Sequence, residues 1–100
     1  MPATIPLREM KEIHLEGEGL AEPTSNLTLI NQAGLRLYLA NQARIAQEIS
    51  PDWFVVIEPV SKQLIAAPNV LDLYHYTSEQ YPNKLLFILG TTRNRLSRHN

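Results

Sequence analysis

The chain has 100 residues, 44% apolar and 19% charged, which suits one domain with one hydrophobic core and is too apolar for a disordered chain. It contains no cysteine, which excludes a disulfide framework, a thiolate zinc site and a cysteine nucleophile. A net charge of −1 gives no overall pull toward nucleic acid or anionic lipid, although the charges are unevenly placed.

Residues 1–24 hold the acids Glu9, Glu12, Glu16, Glu18 and Glu22 against Arg8 and Lys11. Pro2, Pro6, Arg8 and Glu9 interrupt the start, and no run of the roughly seven apolar residues typical of a secretory signal occurs there. A cytoplasmic protein is expected. Ile13 and Leu15 alternate with Glu12 and His14, so Met10 to Leu15 is either an edge strand or part of an acidic, partly flexible segment whose few large apolar side chains do not offset the entropy of ordering it.

From Leu27 to Ile49 most residues are good helix formers, Thr24, Ser25 or Asn26 can cap the start, and Pro51 lies just past the end. One helix is predicted there, with Gly34 as a weak point of about 1 kcal/mol relative to alanine. At 100° per residue Leu29, Ile30, Ala33 and Leu37 point one way, and Leu35, Tyr38, Leu39, Ala46 and Ile49 roughly the other. Either both faces pack inside the domain, or the Leu35, Tyr38 and Leu39 face meets another chain.

Trp53 to Ile57 is an unbroken aromatic and β-branched run between Pro51 and Pro59, the pattern of a central strand covered on both faces. Pro59-Val60-Ser61-Lys62 reads as a turn returning the chain as Gln63 to Ala67, a less bulky strand suited to an edge. Asn69 then caps a second helix to about Gln80, with Asp72 favourably placed in its first turn. Val70, Leu71, Tyr74 and Tyr81 are expected to dock on the sheet, leaving Asp72, His75 and Glu79 to solvent. Leu85 to Leu89, apolar on both faces and ended by Gly90, is the last strand, with Trp53, Val55, Ile57, Leu86 and Ile88 expected in the core. No apolar run approaches the roughly 20 residues of a membrane-crossing helix.

The resulting fold class is α+β, ordered helix-strand-strand-helix-strand. A helical crossover lets the last strand lie beside the first, giving a three-stranded sheet in the order 2-1-3. Its apolar edge, the Leu85 strand, needs cover from the Met10 to Leu15 segment, as an additional N-terminal edge strand, or from an identical chain. The domain is placed at residues 25–90, after the acidic segment 1–24 and before a basic, flexible tail, 91–100, that carries Arg93, Arg95 and Arg98.

Residues 50–90, from Trp53-Phe54-Val55-Val56-Ile57-Glu58 through Gln63-Leu64-Ile65-Ala66 to Leu85-Leu86-Phe87-Ile88-Leu89-Gly90, resemble small uncharacterised bacterial domains, several of them cyanobacterial. In these a tryptophan-led strand, a second strand, a helix and an apolar last strand form one unit. Members often carry Gly or Asp in the hairpin turn, where this chain has Pro59 to Lys62. The resemblance implies no established activity beyond a connection to toxin-antitoxin-like gene pairs.

No chemistry is patterned. His14, His75 and His99 stand apart without metal-ligand spacing, Gly17-Glu18-Gly19 lacks the strand-loop-helix context of a phosphate loop, and no serine has a nucleophile motif. Neither an enzyme nor a cofactor or metal is expected. The surplus apolar surface argues for a non-enzymatic protein-interaction module, homodimeric or part of a small regulatory complex, meeting its partner through Leu35, Tyr38 and Leu39. The alternative is an antitoxin-like, nucleic-acid-associated regulator using Arg93, Arg95 and Arg98, although three arginines without interleaved aromatics are few for that role and also suit a solubilising tail.

Overall fold

A computed structural model describes residues 9–93. The elements are β1 (Lys11–His14), α1 (Leu27–Ala40), α2 (Gln42–Glu48), β2 (Phe54–Glu58), β3 (Gln63–Ala67), α3 (Val70–Gln80) and β4 (Phe87–Thr91). The strands form one sheet in the order β1-β3-β2-β4, with every neighbouring pair antiparallel. This is a small α+β domain of four strands and three helices. None of the described helices is long and apolar enough to cross a membrane.

The hairpin β2-β3 forms the middle of the sheet. Val55 and Ile57 point into one core, with Leu37, Ile45 and Phe87, while Val56 points into the other, with Ile65, Ala67 and Leu73. An unbroken apolar run is therefore required along β2, since neither face is wet. Gln63–Ala67 is not an edge strand. β1 pairs outside it, from Lys11 opposite Ala66 to His14 opposite Gln63, and buries Ile13, with Leu15 buried just beyond its end. The N-terminal strand thus covers the edge opposite to the apolar one that the sequence suggested it would protect. The strand and Thr91 extend the sheet past both ends of the 25–90 interval.

The expected single helix from Leu27 to Ile49 is two helices broken at Asn41. The N-cap is Asn26, whose Oδ1 accepts from Thr28 and Leu29 N–H at 3.0 and 3.2 Å. At the break, Asn41 Nδ2 donates to the Leu37 carbonyl at 2.7 Å and its backbone N–H turns to Tyr38 O. The side chain has taken the i−4 acceptor of the ladder, and a polar residue able to do this competes with helix continuation. The break brings Ile45 and Ile49 into the same core as Ile30, Leu37 and Tyr38. Members of both apolar stripes thereby share one core, Ile30 and Leu37 from one and Tyr38 and Ile49 from the other, while Leu29, Leu35, Leu39 and Ala46 stay exposed.

Gly34 is a close-approach position. A Cβ there would overlap Phe87 Cβ and Cγ, atoms that cannot swing away while β4 stays paired. Helix propensity favours Gly34→Ala by about 1 kcal/mol, but overpacking of this kind costs typically about 1–3 kcal/mol. We expect a net loss of up to about 2 kcal/mol in denaturant unfolding; a gain would show that α1 can lift from Phe87 freely.

The last strand starts two residues later than expected and has the opposite phase. Phe87 and Leu89 are buried, Leu86 is half-buried and Ile88 is 57% exposed. A β-bulge between Val55 and Val56, where Gly90 sits at φ +85°, shifts the β2-β4 register. α1 covers one face of β4, while α3 packs on β3 and leaves the other face of β4 bare at Ile88. Trp53 is half-buried rather than central.

α3 also docks through a face that only partly matches the expected one. Leu73 and Thr77 are buried and Tyr76 packs beside them; of the expected residues Tyr81 also packs there and Val70 is half-buried, whereas Leu71 and Tyr74 are exposed. Asn69 caps its N-terminus as expected, accepting from Leu71 and Asp72 N–H. Positions 73, 76 and 77 form one stripe at helical spacing, and Leu73 fits between Val56, Ile65 and the small Ala67.

Candidate functional site

α1 carries one charged residue, Arg36, in fourteen. Its buried stripe runs through Ile30, Ala33, Gly34, Leu37 and Tyr38, with Gly34 against Phe87 of the edge strand β4. Leu35 and Leu39 follow Gly34 and Tyr38 by one residue each, about 100° round the helix. They leave the core on that flank and are 39% and 54% exposed. The neighbouring solvent-facing residues, Thr28, Asn31 and Gln32, are exposed and uncharged. The one cation is turned away from this group, with Arg36 Nε donating to the Glu18 carbonyl at 3.1 Å.

Next to this flank lies β4, paired on one side with β2 and with no described strand on the other. Half of an edge strand's backbone polar groups point away from its partner, ready for another strand. Leu85 is exposed just before the strand, and Ile88 is exposed on the face of β4 turned away from α1. Among the described residues, α1 with this neutral, partly apolar flank thus packs on a strand that has a neighbour on one side only. Depletion of charge in an exposed apolar patch is the compositional mark of an interface centre.

Of the six residues singled out from the sequence, the structure brings Leu35 and Leu39 together on the surface and places Tyr38 in the core, out of a partner's reach. Arg93 lies at the far end of β4, where its guanidinium holds Asp52 through two hydrogen bonds, Nη2 to Oδ2 at 3.3 Å and a shorter one from Nε. The Asp52 carboxylate raises the pKa of Arg93, chiefly through that hydrogen bond. Its backbone N–H donates to Pro51 O, and Thr92 before it is buried, so the exposed tail does not begin at Thr91. Arg95 and Arg98 lie outside the described residues.

The histidines do not converge. His14 bonds Gln63 Oε1 through Nδ1 at 2.9 Å and His75 lies 3.5 Å from Glu79; His99 is outside the described residues. Among the described residues no group of three His, Asp or Glu could hold a metal ion. Two tyrosines on the α3 side of the sheet, Tyr76 and Tyr81, have pKa values raised above the usual range by burial first, with the Glu12 carboxylate adding to both.

Sequence reasoning named the Leu85 strand as an apolar edge in need of cover but expected Ile88 in the core, because the phase of β4 is set by α1 through Gly34 and Phe87. It also passed over Glu58, a carboxylate closing the apolar run of β2 before Pro59; a charge inside a central strand was the available signal. No family model, curated protein or solved structure matches this chain.

Proposed function

We propose that this domain is a non-enzymatic self-association module in which the Leu35-Leu39 flank of α1 and the open edge of β4 meet their counterparts in a second copy about a two-fold axis. The observation that carries the reading is an uncharged, partly apolar flank on α1, which packs on the strand that ends the sheet among the described residues. A surface without charges needs no complementary charge pattern in its partner and is compatible with itself, as a two-fold interface requires. An open apolar edge is a liability in a monomer, and pairing with another copy removes it. The function of such a module is to hold two copies, and whatever each is joined to or binds, at a defined spacing.

Sedimentation velocity tests the reading. The wild-type chain is expected to sediment as a dimer at high micromolar concentration. The double variant Leu35→Glu, Leu39→Glu is expected to be a monomer with unchanged helical circular dichroism, because both side chains lie outside the core and only the dimer would bury the new carboxylates. A monomeric wild type, or a dimer unaffected by both glutamates, overturns the proposal.

A further inference from the structure

At the other end of α1, a cleft of about 300 Å³ opens between the segment before the helix, the β2-β3 turn and the α3-β4 connection. Leu20, Ile30 and Leu85 supply apolar wall, Ser25 lies beside the α1 cap, and Glu58 and Lys84 line the opposite side. The size is at the small end of ligand pockets, and an apolar lining with a few convergent polar groups is their usual composition.

Glu58 is the unusual member, a carboxylate only 2% exposed on the wall of an apolar cleft. Its two oxygens accept from Val60 N–H at 2.9 Å and Ser61 N–H at 3.0 Å. Those bonds account for the shape of the turn. They leave a second lone pair on each oxygen. Lys84 Nζ stands 4.0 Å from Oε1, beyond hydrogen-bond length. One anion and one cation therefore border the same cleft as a loose ion pair, too far apart for a direct hydrogen bond.

The charges decide which ligand fits. A simple amine on Glu58 would face the Lys84 ammonium, and a simple carboxylate on Lys84 would face Glu58. A ligand carrying both groups satisfies each charge and leaves none unpaired in a partly dry site. We propose that this cleft binds a free α-amino acid with an aliphatic side chain, its ammonium on Glu58, its carboxylate on Lys84 and its side chain against Leu20, Ile30 and Leu85. The inference rests on Glu58 and Lys84 and not on the dimer, although Leu85 borders both surfaces.

Titrating the full-length chain with L-leucine, followed by calorimetry and by amide chemical shifts, tests it. Saturable binding is expected, with shifts centred on Val60, Ser61 and Lys84. Leucinamide, which lacks the carboxylate, and isocaproate, which lacks the amine, are each expected to bind at least about tenfold more weakly, as is L-leucine to Lys84→Met, since a charged hydrogen bond is worth about 1.5–3 kcal/mol. Lys84 is 39% exposed but stands near the buried Glu58 carboxylate, so the ligand-free melting of Lys84→Met is measured too. Glu58→Gln should weaken binding similarly, with its ligand-free melting measured alongside because Glu58 also holds the turn. Absence of saturation at millimolar L-leucine, equal binding of either truncated ligand, or unchanged affinity in Lys84→Met overturns the assignment.

Discussion

Replacing Ile57 by alanine is expected to reduce the unfolding free energy by about 2–5 kcal/mol, the range for removing a large aliphatic side chain from a packed core. Ile57 is fully buried in β2, pairs with Leu64 on one side and Phe87 on the other, and points into the core with Leu37 and Ile45. Collapse around the cavity is restricted, because both neighbouring strands are fixed by pairing and α1 cannot move closer to Phe87 than Gly34 already allows. Ile88→Ala is the matched control. Ile88 points away from that core and is exposed, so its truncation should change monomer stability by no more than about 0.5 kcal/mol. Urea unfolding of the two variants at low protein concentration measures the contrast. Equal losses would mean that β4 has the phase expected from the sequence and not the one observed.

The second large effect is expected at Asn41, which is polar, 5% exposed and bonded on every side. Its Oδ1 accepts from Glu16 N–H at 3.0 Å, while Nδ2 donates to Glu16 O at 2.8 Å and to Leu37 O at 2.7 Å. One side chain thus breaks the helix and ties the segment after β1 to the break. Asn41→Ala removes three bonds and strands three backbone groups in a poorly hydrated place, for which about 2–4 kcal/mol is a reasonable total, since each stranded group alone costs about 1–3 kcal/mol and such losses do not add fully. Asn41→Asp should lose a similar amount at neutral pH, because it keeps the acceptor for Glu16 N–H but turns a carboxylate oxygen toward two carbonyls. Hydrogen exchange at the Glu16 amide should accelerate in the alanine variant. Near wild-type stability in both variants would show that residues 15–26 are not held through this amide.

Some of the fold was legible because its causes are local. Asn69 and, among three candidates for the first helix, Asn26 precede helix formers, and each caps its helix by accepting from the N–H groups two and three residues on, which needs no tertiary partner. The run from Phe54 to Ile57 declared a strand buried on both faces, since no solvated strand tolerates four such residues in succession. A last strand lying beside β2 followed from chain length and crossover geometry. Of the candidate surface, Leu35 and Leu39 were legible as residues outside the main helical stripe.

Other features had causes distant in sequence. The Asn41 amide that takes the Leu37 carbonyl is held there by Glu16, 25 residues away, and with that break Ile45 and Ile49 join the core. The phase of β4 depends on a helix glycine admitting the Phe87 ring, so an evenly apolar run carried no sign of which side would be wet. α3 docks on Leu73 because Ala67 leaves room beneath it. The pairing of Glu58 with Lys84 across a cleft depends on two turns that meet only in the folded chain. Composition, caps and apolar runs by themselves determined the class of elements and the central strand, because those energies arise within a few residues along the chain. Tertiary packing alone decided which faces were buried, which edge stayed open and which charges met, because there one side chain's space is set by a neighbour far away in sequence.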